Sequence, residues 1–158
     1  MTIHNDNFEE NLAIGTAGED IVYDYLIKHN SFVEDCRNQK HAENRGPRLI
    51  GTDGSLAQPD FVVYNKNPLK GNYAIDVKVK SKKYKYDGKE YFTVDPKFND
   101  YKRIVQLKKL DFLAIIFILD GKLYFYKDSE VARTKMFNNE YGSGESPLFE
   151  FNEKKQVY

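Results

Sequence analysis

One short stretch of the sequence places an acid and a lysine side by side. In residues 73–79, Tyr-Ala-Ile-Asp-Val-Lys-Val, bulky apolar residues alternate with small or polar ones, which predicts a half-buried β-strand. Side chains two positions apart on a strand point to the same face, so Asp76 and Lys78 project together, away from Ile75 and Val77. The pattern therefore predicts a carboxylate and an ammonium group on one face of a strand.

A second carboxylate lies sixteen residues before Asp76. Asp60 follows Pro59 at the start of another apolar strand, and pairing of the two strands would bring it near Asp76. Two carboxylates in contact repel each other unless a hard cation lies between them, and Mg²⁺ prefers such oxygen ligands. Lys78 would then assist the deprotonation of a water or hold negative charge on a phosphate. The spacing predicts a magnesium site.

The acid-x-Lys triplet is common in this chain and is informative only in its context. Only the triplet at Asp76 lies inside an alternating apolar strand, and the pair Pro-Asp occurs once, at Asp60. The alternative interpretation is two solvated carboxylates and a surface lysine at a sheet edge. We treat the five other triplets as background; they start at Asp87, Asp95, Asp100, Asp120 and Glu153.

In these residues the chain resembles the PD-(D/E)XK nuclease superfamily, which includes restriction endonucleases and resolvases. The family's order of helix, three-stranded meander, helix and strand is similar to the pattern of residues 16–119. The resemblance implies that Glu19 on the first helix, together with Asp60 and Asp76, binds Mg²⁺, for which Mn²⁺ can substitute. It also implies that Lys78 aids the attacking water.

Two further assignments concern the helices. Asp20 is a rival to Glu19 as the acid of the first helix, and Glu19 could instead complete a capping box with Thr16. The resemblance implies a further catalytic residue on the second helix, for which Gln106 is the leading candidate. Lys102, four residues earlier on the same face, is a candidate for nucleic-acid binding.

Lysines follow the acid-x-Lys strand, interleaved with Tyr84 and Tyr86. A basic surface with aromatic rings is typical of proteins that contact the nucleic-acid backbone and stack on unpaired bases. The alternative is that these charges protect an edge strand from aggregation. The predicted nucleic-acid-binding residues in this stretch are Lys80, Lys82, Lys83 and Lys85.

Periodicity predicts the elements that position these residues. Helices are expected over residues 16–29, 96–109 (with Pro96 in the first turn) and 129–137. Strands are expected at 32–36, 60–65, 72–80, 82–86, 91–94, 112–119, 123–126 and 148–151, with a long loop at 37–57 and a Gly-rich loop at 142–144.

This order predicts an α/β or α+β domain with a mixed central sheet flanked by helices. The resemblance implies a single restriction-endonuclease-like domain over residues 1–158. Its αβββαβ core would carry an added hairpin and a small C-terminal helix.

Composition is that of one globular domain. The chain has 158 residues, of which 41% are hydrophobic and 15% aromatic. Its longest apolar run has eight residues, too few for a membrane span of roughly 18–20. The first ten residues lack a secretory signal, so we expect a cytoplasmic protein without a membrane partner. The single cysteine, Cys36, argues against an internal disulfide.

The net charge of zero conceals a basic central segment, because residues 37–109 contain seventeen basic and eight acidic side chains. The acid-x-Lys strand with Asp60, and the resemblance that these residues carry, imply a magnesium-dependent endonuclease that hydrolyses phosphodiester bonds in DNA. We expect a homodimer or higher homo-oligomer, since one site cuts one strand per binding event; Tyr124 and Phe125 are interface candidates that could equally be core. The alternative is a non-catalytic nucleic-acid-binding or protein-interaction domain with a nuclease-like fold.

Overall fold

The structure, a computed structural model, describes residues 3–37, 48–52, 54–95, 97–139 and 142–158. These residues form a mixed α+β fold with two α-helices, α1 (Ile3–His29) and α2 (Phe98–Leu107). The strands are β1 (Phe32–Asp35), β2 (Arg48–Gly51), β3 (Gly54–Ala57), β4 (Phe61–Tyr64), β5 (Tyr73–Lys80), β6 (Tyr84–Tyr86), β7 (Lys89–Thr93), β8 (Phe112–Leu119), β9 (Lys122–Lys127), β10 (Arg133–Asn139) and β11 (Gly142–Glu150). Neither of these two helices is long and apolar enough to cross a membrane.

A five-stranded mixed sheet forms the centre of the fold, in the order β1-β4-β5-β8-β9. β5 and β8 are parallel, from Tyr73 opposite Phe112 to Lys80 opposite Leu119, and the other neighbours are antiparallel. A parallel strand covered on both faces needs apolar side chains on both, which explains the continuous apolar sequence of β8. The strands predicted around 60–65, 72–80 and 112–119 are confirmed.

The two helices cover opposite faces of this sheet. Val22 and Leu26 of α1 pack in one core cluster with Ile75 of β5. Phe98 and Tyr101 of α2 pack in the other cluster, on the face that bears Ala74 and Phe117, together with Phe92 of β7. The alternation predicted for β5 is therefore correct, and its even-numbered residues face the side of the sheet that α2 covers.

A second sheet has the order β10-β11-β7-β6, and it corrects two predictions. The helix predicted over residues 129–137 is wrong: a 3₁₀ turn at Asp128–Glu130 is followed by β10. The Gly-rich loop is also wrong, because β11 begins at Gly142. A nine-residue helix is marginal alone, whereas β11 supplies backbone partners along the whole of β10. The predicted small C-terminal helix is thus replaced by a hairpin.

Two boundaries near the predicted site also differ. α1 begins at Ile3, so Thr16 lies inside the helix and cannot be its N-cap, and the capping-box interpretation of Glu19 is wrong. The predicted loop at 37–57 contains the β2–β3 hairpin, with Arg48 opposite Ala57. Residues 38–47 of that loop, and the helix start predicted at Pro96, lie outside the described residues.

Gly18 is a point of close approach between α1 and the sheet. A Cβ added to Gly18 would lie closer to Cγ2 of Val79 than two non-bonded carbons can approach, and 3.1 Å from Cδ1 of Ile118. Val79 is β-branched and has little freedom to turn aside. The missing side chain at Gly18 therefore sets the distance between α1 and β5, and with it the position of Glu19.

Gly18→Ala should lower the Tm, whereas Gly15→Ala should raise it. Both changes replace a helical glycine and gain about 0.5–1 kcal/mol of helix propensity. A Cβ at residue 15 meets nothing within 4 Å, but one at residue 18 overpacks the interface with β5, at a cost of about 1–3 kcal/mol. Thermal unfolding followed by circular dichroism measures both, and adding Val79→Ala to Gly18→Ala should recover part of the loss. Equal rises in Tm would contradict this packing of α1.

Candidate active site

A cleft opens where β4 and β5 stop pairing. Their register ends at Phe61 opposite Ile75, while β5 continues beyond that pair. One position further, Asp60 faces Asp76, and the Oδ2 atom of Asp60 accepts the backbone N–H of Val77 at 2.8 Å. A carboxylate thus replaces the strand partner of β5 at this point. We call this divergence of β4 and β5 the fork.

The cleft at the fork has a volume of about 380 Å³ and draws its lining from separate segments of the chain. It contains the four residues that the sequence predicts to form the site: Glu19, Asp60, Asp76 and Lys78. The other lining residues are Thr16, Arg37, Arg48, Ala57, Gln58, Val77, Lys97 and Tyr101.

Asp60, which is partly buried, and Asp76, which is almost fully buried, are in hydrogen-bond contact. Burial raises the pKa of Asp76, whose residue is 4% exposed, well above its usual range, and Lys78 opposes that rise. Burial, followed by the negative charge of Glu19, raises the pKa of Asp60 to about 6. The hydrogen bond between the two acids favours the proton on Asp76, which donates to Asp60. The pair therefore carries fewer than two negative charges when no cation lies beside it.

Lys78 is held between two carboxylates. Its Nζ atom lies 3.2 Å from Oδ2 of Asp76 and 2.5 Å from Oδ2 of Asp95. Burial alone would lower the pKa of Lys78, but the charges of Asp76 and Asp95 outweigh burial and the pKa is raised. Lys78 is therefore a cation that can hold negative charge rather than a base that can take a proton. Sequence reasoning missed Asp95, whose acid-x-Lys triplet was set aside as background.

Of the two candidate acids on α1, Glu19 lies in the cleft and Asp20 does not. Glu19 lines the cleft, with Oε1 3.8 Å from Nη1 of Arg37, and burial raises the pKa of Glu19 against the opposing charge of Arg37. The Asp20 side chain is 64% exposed, and its Oδ1 atom lies 2.7 Å from the same Nη1 atom of Arg37. A third carboxylate holds Arg37 in place, because Oδ2 of Asp35 lies 2.8 Å from Nη2 of Arg37. Arg37 was not predicted from the sequence.

The second helix contributes Tyr101 rather than Gln106. Tyr101 lines the cleft, and its hydroxyl donates to the carboxylate of Asp76; burial and then the Asp76 charge raise the pKa of Tyr101. Gln106 is exposed and does not line the cleft, because five residues beyond Tyr101 the helix has turned its side chain away. Lys102 is also exposed, with Nζ 5.7 Å from the centroid of the Phe98 ring. The sequence suggested Tyr101 only as a core residue.

The predicted nucleic-acid-binding lysines of the hairpin lie in a second opening. Lys80, Lys82, Lys83 and Lys85 line a groove of about 730 Å³ between the end of β5 and the β6–β7 hairpin. We call this opening the lysine groove. Lys102 lies apart from it, on α2.

The donor set at the fork suits a hard cation. Among the described residues, no three His, Cys, Asp or Glu side chains are grouped so that they could hold a metal by themselves. Magnesium, however, is usually bound by one or two carboxylates together with waters and substrate phosphates. Asp60 and Asp76 meet that requirement, and Glu19 lies close enough to raise the pKa of Asp60 by its charge.

Comparisons with known proteins provide no relative from which a function could be transferred. No protein-family model, no curated protein and no solved structure matches the chain. The resemblance to PD-(D/E)XK nucleases therefore rests on the residues and their arrangement alone, and membership of that superfamily remains a prediction.

In EDTA, the stability of the protein should fall as the pH rises from about 4 to about 7. The folded pKa of Asp60, about 6, lies above the unfolded value of about 3.9, so the native state holds a proton that the unfolded state releases in this range. Stability from this group is complete below the unfolded pKa and is lost as the pH passes the folded pKa. Asp60→Asn should reduce the loss by an amount on the order of 2 kcal/mol.

Urea unfolding at several pH values measures this dependence. Asp24→Asn, on an exposed position of α1, is the charge-matched control and should leave the slope unchanged. The same pH dependence in Asp60→Asn and in the wild type would show that the fork does not hold the proton.

Proposed function

We propose that the protein is a magnesium-dependent endonuclease that hydrolyses phosphodiester bonds in DNA, with Mn²⁺ as a possible substitute. The observation that carries the proposal is the convergence of Asp60, Asp76 and Lys78 in one cleft, with Glu19 at its side. Glu19 lies on α1, far from the other three residues in the sequence, so its approach to them is a property of the fold.

Each residue has a role that its contacts support. Asp60 and Asp76 would hold the metal ion, which when bound would activate a water and offset negative charge on the phosphate. Lys78, kept protonated by its two carboxylate neighbours, would face the phosphate and stabilise charge that develops in the transition state. Tyr101 orients Asp76 by its hydrogen bond, and Asp95 positions Lys78.

The topology supports the same proposal. A helix, three antiparallel strands, a second helix and a strand parallel to the third occur in that order in α1, β1, β4, β5, α2 and β8. This is the αβββαβ arrangement that the resemblance implies, with the β2–β3 and β6–β7 hairpins inserted. We therefore propose a restriction-endonuclease-like fold.

One observation favours a second candidate, a nucleic-acid-binding domain without cleavage. Lys78 and Glu19 are both engaged by side chains of the protein, at Asp95 and Arg37. A cleft whose charges are already paired could hold a phosphate backbone without supplying a vacant ligand set. Metal-dependent cleavage distinguishes the two candidates, because a binding domain would retain nucleic acid and release no product.

Asp76→Asn should abolish nearly all cleavage while preserving the fold and DNA affinity. The amide can accept from Tyr101 and donate to Asp60 as the protonated carboxyl does, but it removes the charge that a metal ion needs. Lys78→Ala should reduce the cleavage rate about 100-fold or more, the scale of a lost transition-state charge stabiliser. Single-turnover assays with plasmid, branched, single-stranded DNA and RNA, in Mg²⁺ or Mn²⁺, measure both.

Asp24→Asn is again the matched control, since it removes one carboxylate from an exposed position of α1. It should cleave at the wild-type rate. Wild-type cleavage by Asp76→Asn with Mg²⁺ present would eliminate the proposed mechanism.

A homodimer or higher oligomer is part of the proposal, since two sites would cut both strands of a duplex. The interface residues suggested by the sequence do not support it: Tyr124 is 4% exposed and belongs to the core, and Phe125 is half-buried against the other cluster. The large exposed side chains Ile50, Leu107 and Met136 offer alternative contact points.

Sedimentation at micromolar concentration should show a dimer. Observation of the monomer alone, both with and without DNA, would count against the proposed oligomer.

A further inference from the structure

The lysine groove lies beside the cleft along the same strand. Asp76, Lys78 and Lys80 are alternate residues of β5, so Lys80 follows Lys78 on the same face at a spacing of about 7 Å. Lys78 binds Asp95 and Lys80 donates to Oγ1 of Thr93 at 3.1 Å, so two successive contacts join β5 to the end of β7 and to the segment that follows it. A chain of phosphates lying in the groove would therefore lead towards Lys78.

The lysine groove is positively charged, and its lining includes Tyr84 and Tyr91. Its four lysines outnumber its two acids, Glu90 and Asp120. Lys83 is engaged, with Nζ 3.4 Å from Glu90 and 4.1 Å from the centroid of the Phe151 ring. Lys82 and Lys85 have no ion pair with any residue that the structure describes, which leaves their charges available to an anion.

Lys80 is a partly buried cation of the groove. Burial, and then the neighbouring charge of Lys78, lower the pKa of Lys80. Two partly buried ammonium groups in succession repel each other, and a bound anion between them would relieve that repulsion. This arrangement is unnecessary for a lysine that only keeps an edge strand soluble.

The aromatic part of the surface is Tyr84, which lines the groove and whose ring lies nearly parallel to that of Tyr86, at 13° and 6.2 Å between centroids. Tyr86 is 41% exposed. A cation from the opposite edge of the sheet lies against one face of each ring: Lys135 is 4.3 Å from the centroid of Tyr84 and Arg133 is 4.4 Å from that of Tyr86. Aromatic rings beside cations are the surface on which unpaired bases stack, whatever their sequence.

We propose that the lysine groove binds an unpaired DNA strand and guides it into the cleft. A volume of about 730 Å³ is that of a pocket for one drug-sized ligand, which is enough for one or two nucleotides of an extended strand. A duplex, whose major groove alone is about 12 Å wide, is too large to enter a space of that volume and could lie only across its mouth. The inference rests on the proposed function for the identity of the nucleic acid and deepens it: the substrate has a single-stranded segment next to the bond that is cut.

Fluorescence anisotropy in EDTA tests binding without cleavage. The probe is a labelled 12-nucleotide oligothymidine, compared with a duplex of the same length. The wild type should bind the single strand at least fivefold more tightly than the duplex. Lys82→Ala combined with Lys85→Ala should weaken binding at least tenfold and reduce the slope of log affinity against log salt by about 1.4, since each lost phosphate contact on a single strand removes about 0.7. Tyr84→Leu should weaken binding at least fivefold and leave the slope unchanged.

Lys28→Ala combined with Lys154→Ala is the matched control. Both lysines are exposed and lie outside the groove, so the double variant removes the same charge and should bind as the wild type does. Equal affinity for duplex and single strand, or equal losses in the groove variant and this control, would overturn the inference. A groove variant that binds the single strand as tightly as the wild type does but aggregates would also overturn the inference. That result would indicate that these lysines protect an edge strand from aggregation.

The same proteins separate this inference from the proposed function. Groove-dependent binding with no product in Mg²⁺ or Mn²⁺ would overturn the nuclease and leave the groove. Cleavage that depends on Asp76 but is unaffected in rate and affinity by the groove variant would overturn the groove and leave the nuclease.

Discussion

The contact on which the site depends is the hydrogen bond from the backbone N–H of Val77 to the carboxylate of Asp60. A strand that loses its neighbour exposes backbone groups that must find other partners. Asp60, the residue before β4 begins, supplies one of them, and this allows β4 and β5 to diverge while β5 keeps its pairing with β8. The opening that results admits side chains from α1 and α2, which otherwise cover opposite faces of the sheet.

The fork concentrates charges that would be unstable separately. Asp76 is almost fully buried, and burying an unpaired carboxylate costs several kcal/mol. Its neighbours reduce that cost in different ways: Tyr101 donates a hydrogen bond, Lys78 supplies a positive charge, and Asp60 accepts a hydrogen bond from protonated Asp76. Removing any one of them leaves the others less well satisfied, so these side chains act as a unit and their individual contributions are not additive.

Strand alternation and turn residues were sufficient to predict β4, β5 and β8, and hence that Asp60, Asp76 and Lys78 would meet. Predictions failed where long-range pairing decides the structure, as in β10, which is a strand because β11 lies beside it. Asp95 and Arg37 could not be found, since their importance comes from what they contact and not from local sequence. For α2, the amphipathic pattern identified Tyr101 as inward-facing, but which inward residue reaches the cleft depends on the helix position over β5. The sequence does not give that helix position, so it could not separate Gln106 from Tyr101.

The pairing of Lys78 with Asp95 also bears on how a phosphate could enter. The Asp95 side chain is 39% exposed, whereas that of Asp76 is 5% exposed. Water reaches the Asp95 side of this ion pair and screens it, so the pair is weaker than a fully buried one would be. A phosphate arriving from the lysine groove would therefore compete with Asp95 for Lys78, while the deeper burial of Asp76 keeps that contact in place. The same lysine can then hold the resting site together and bind an incoming backbone without moving along β5.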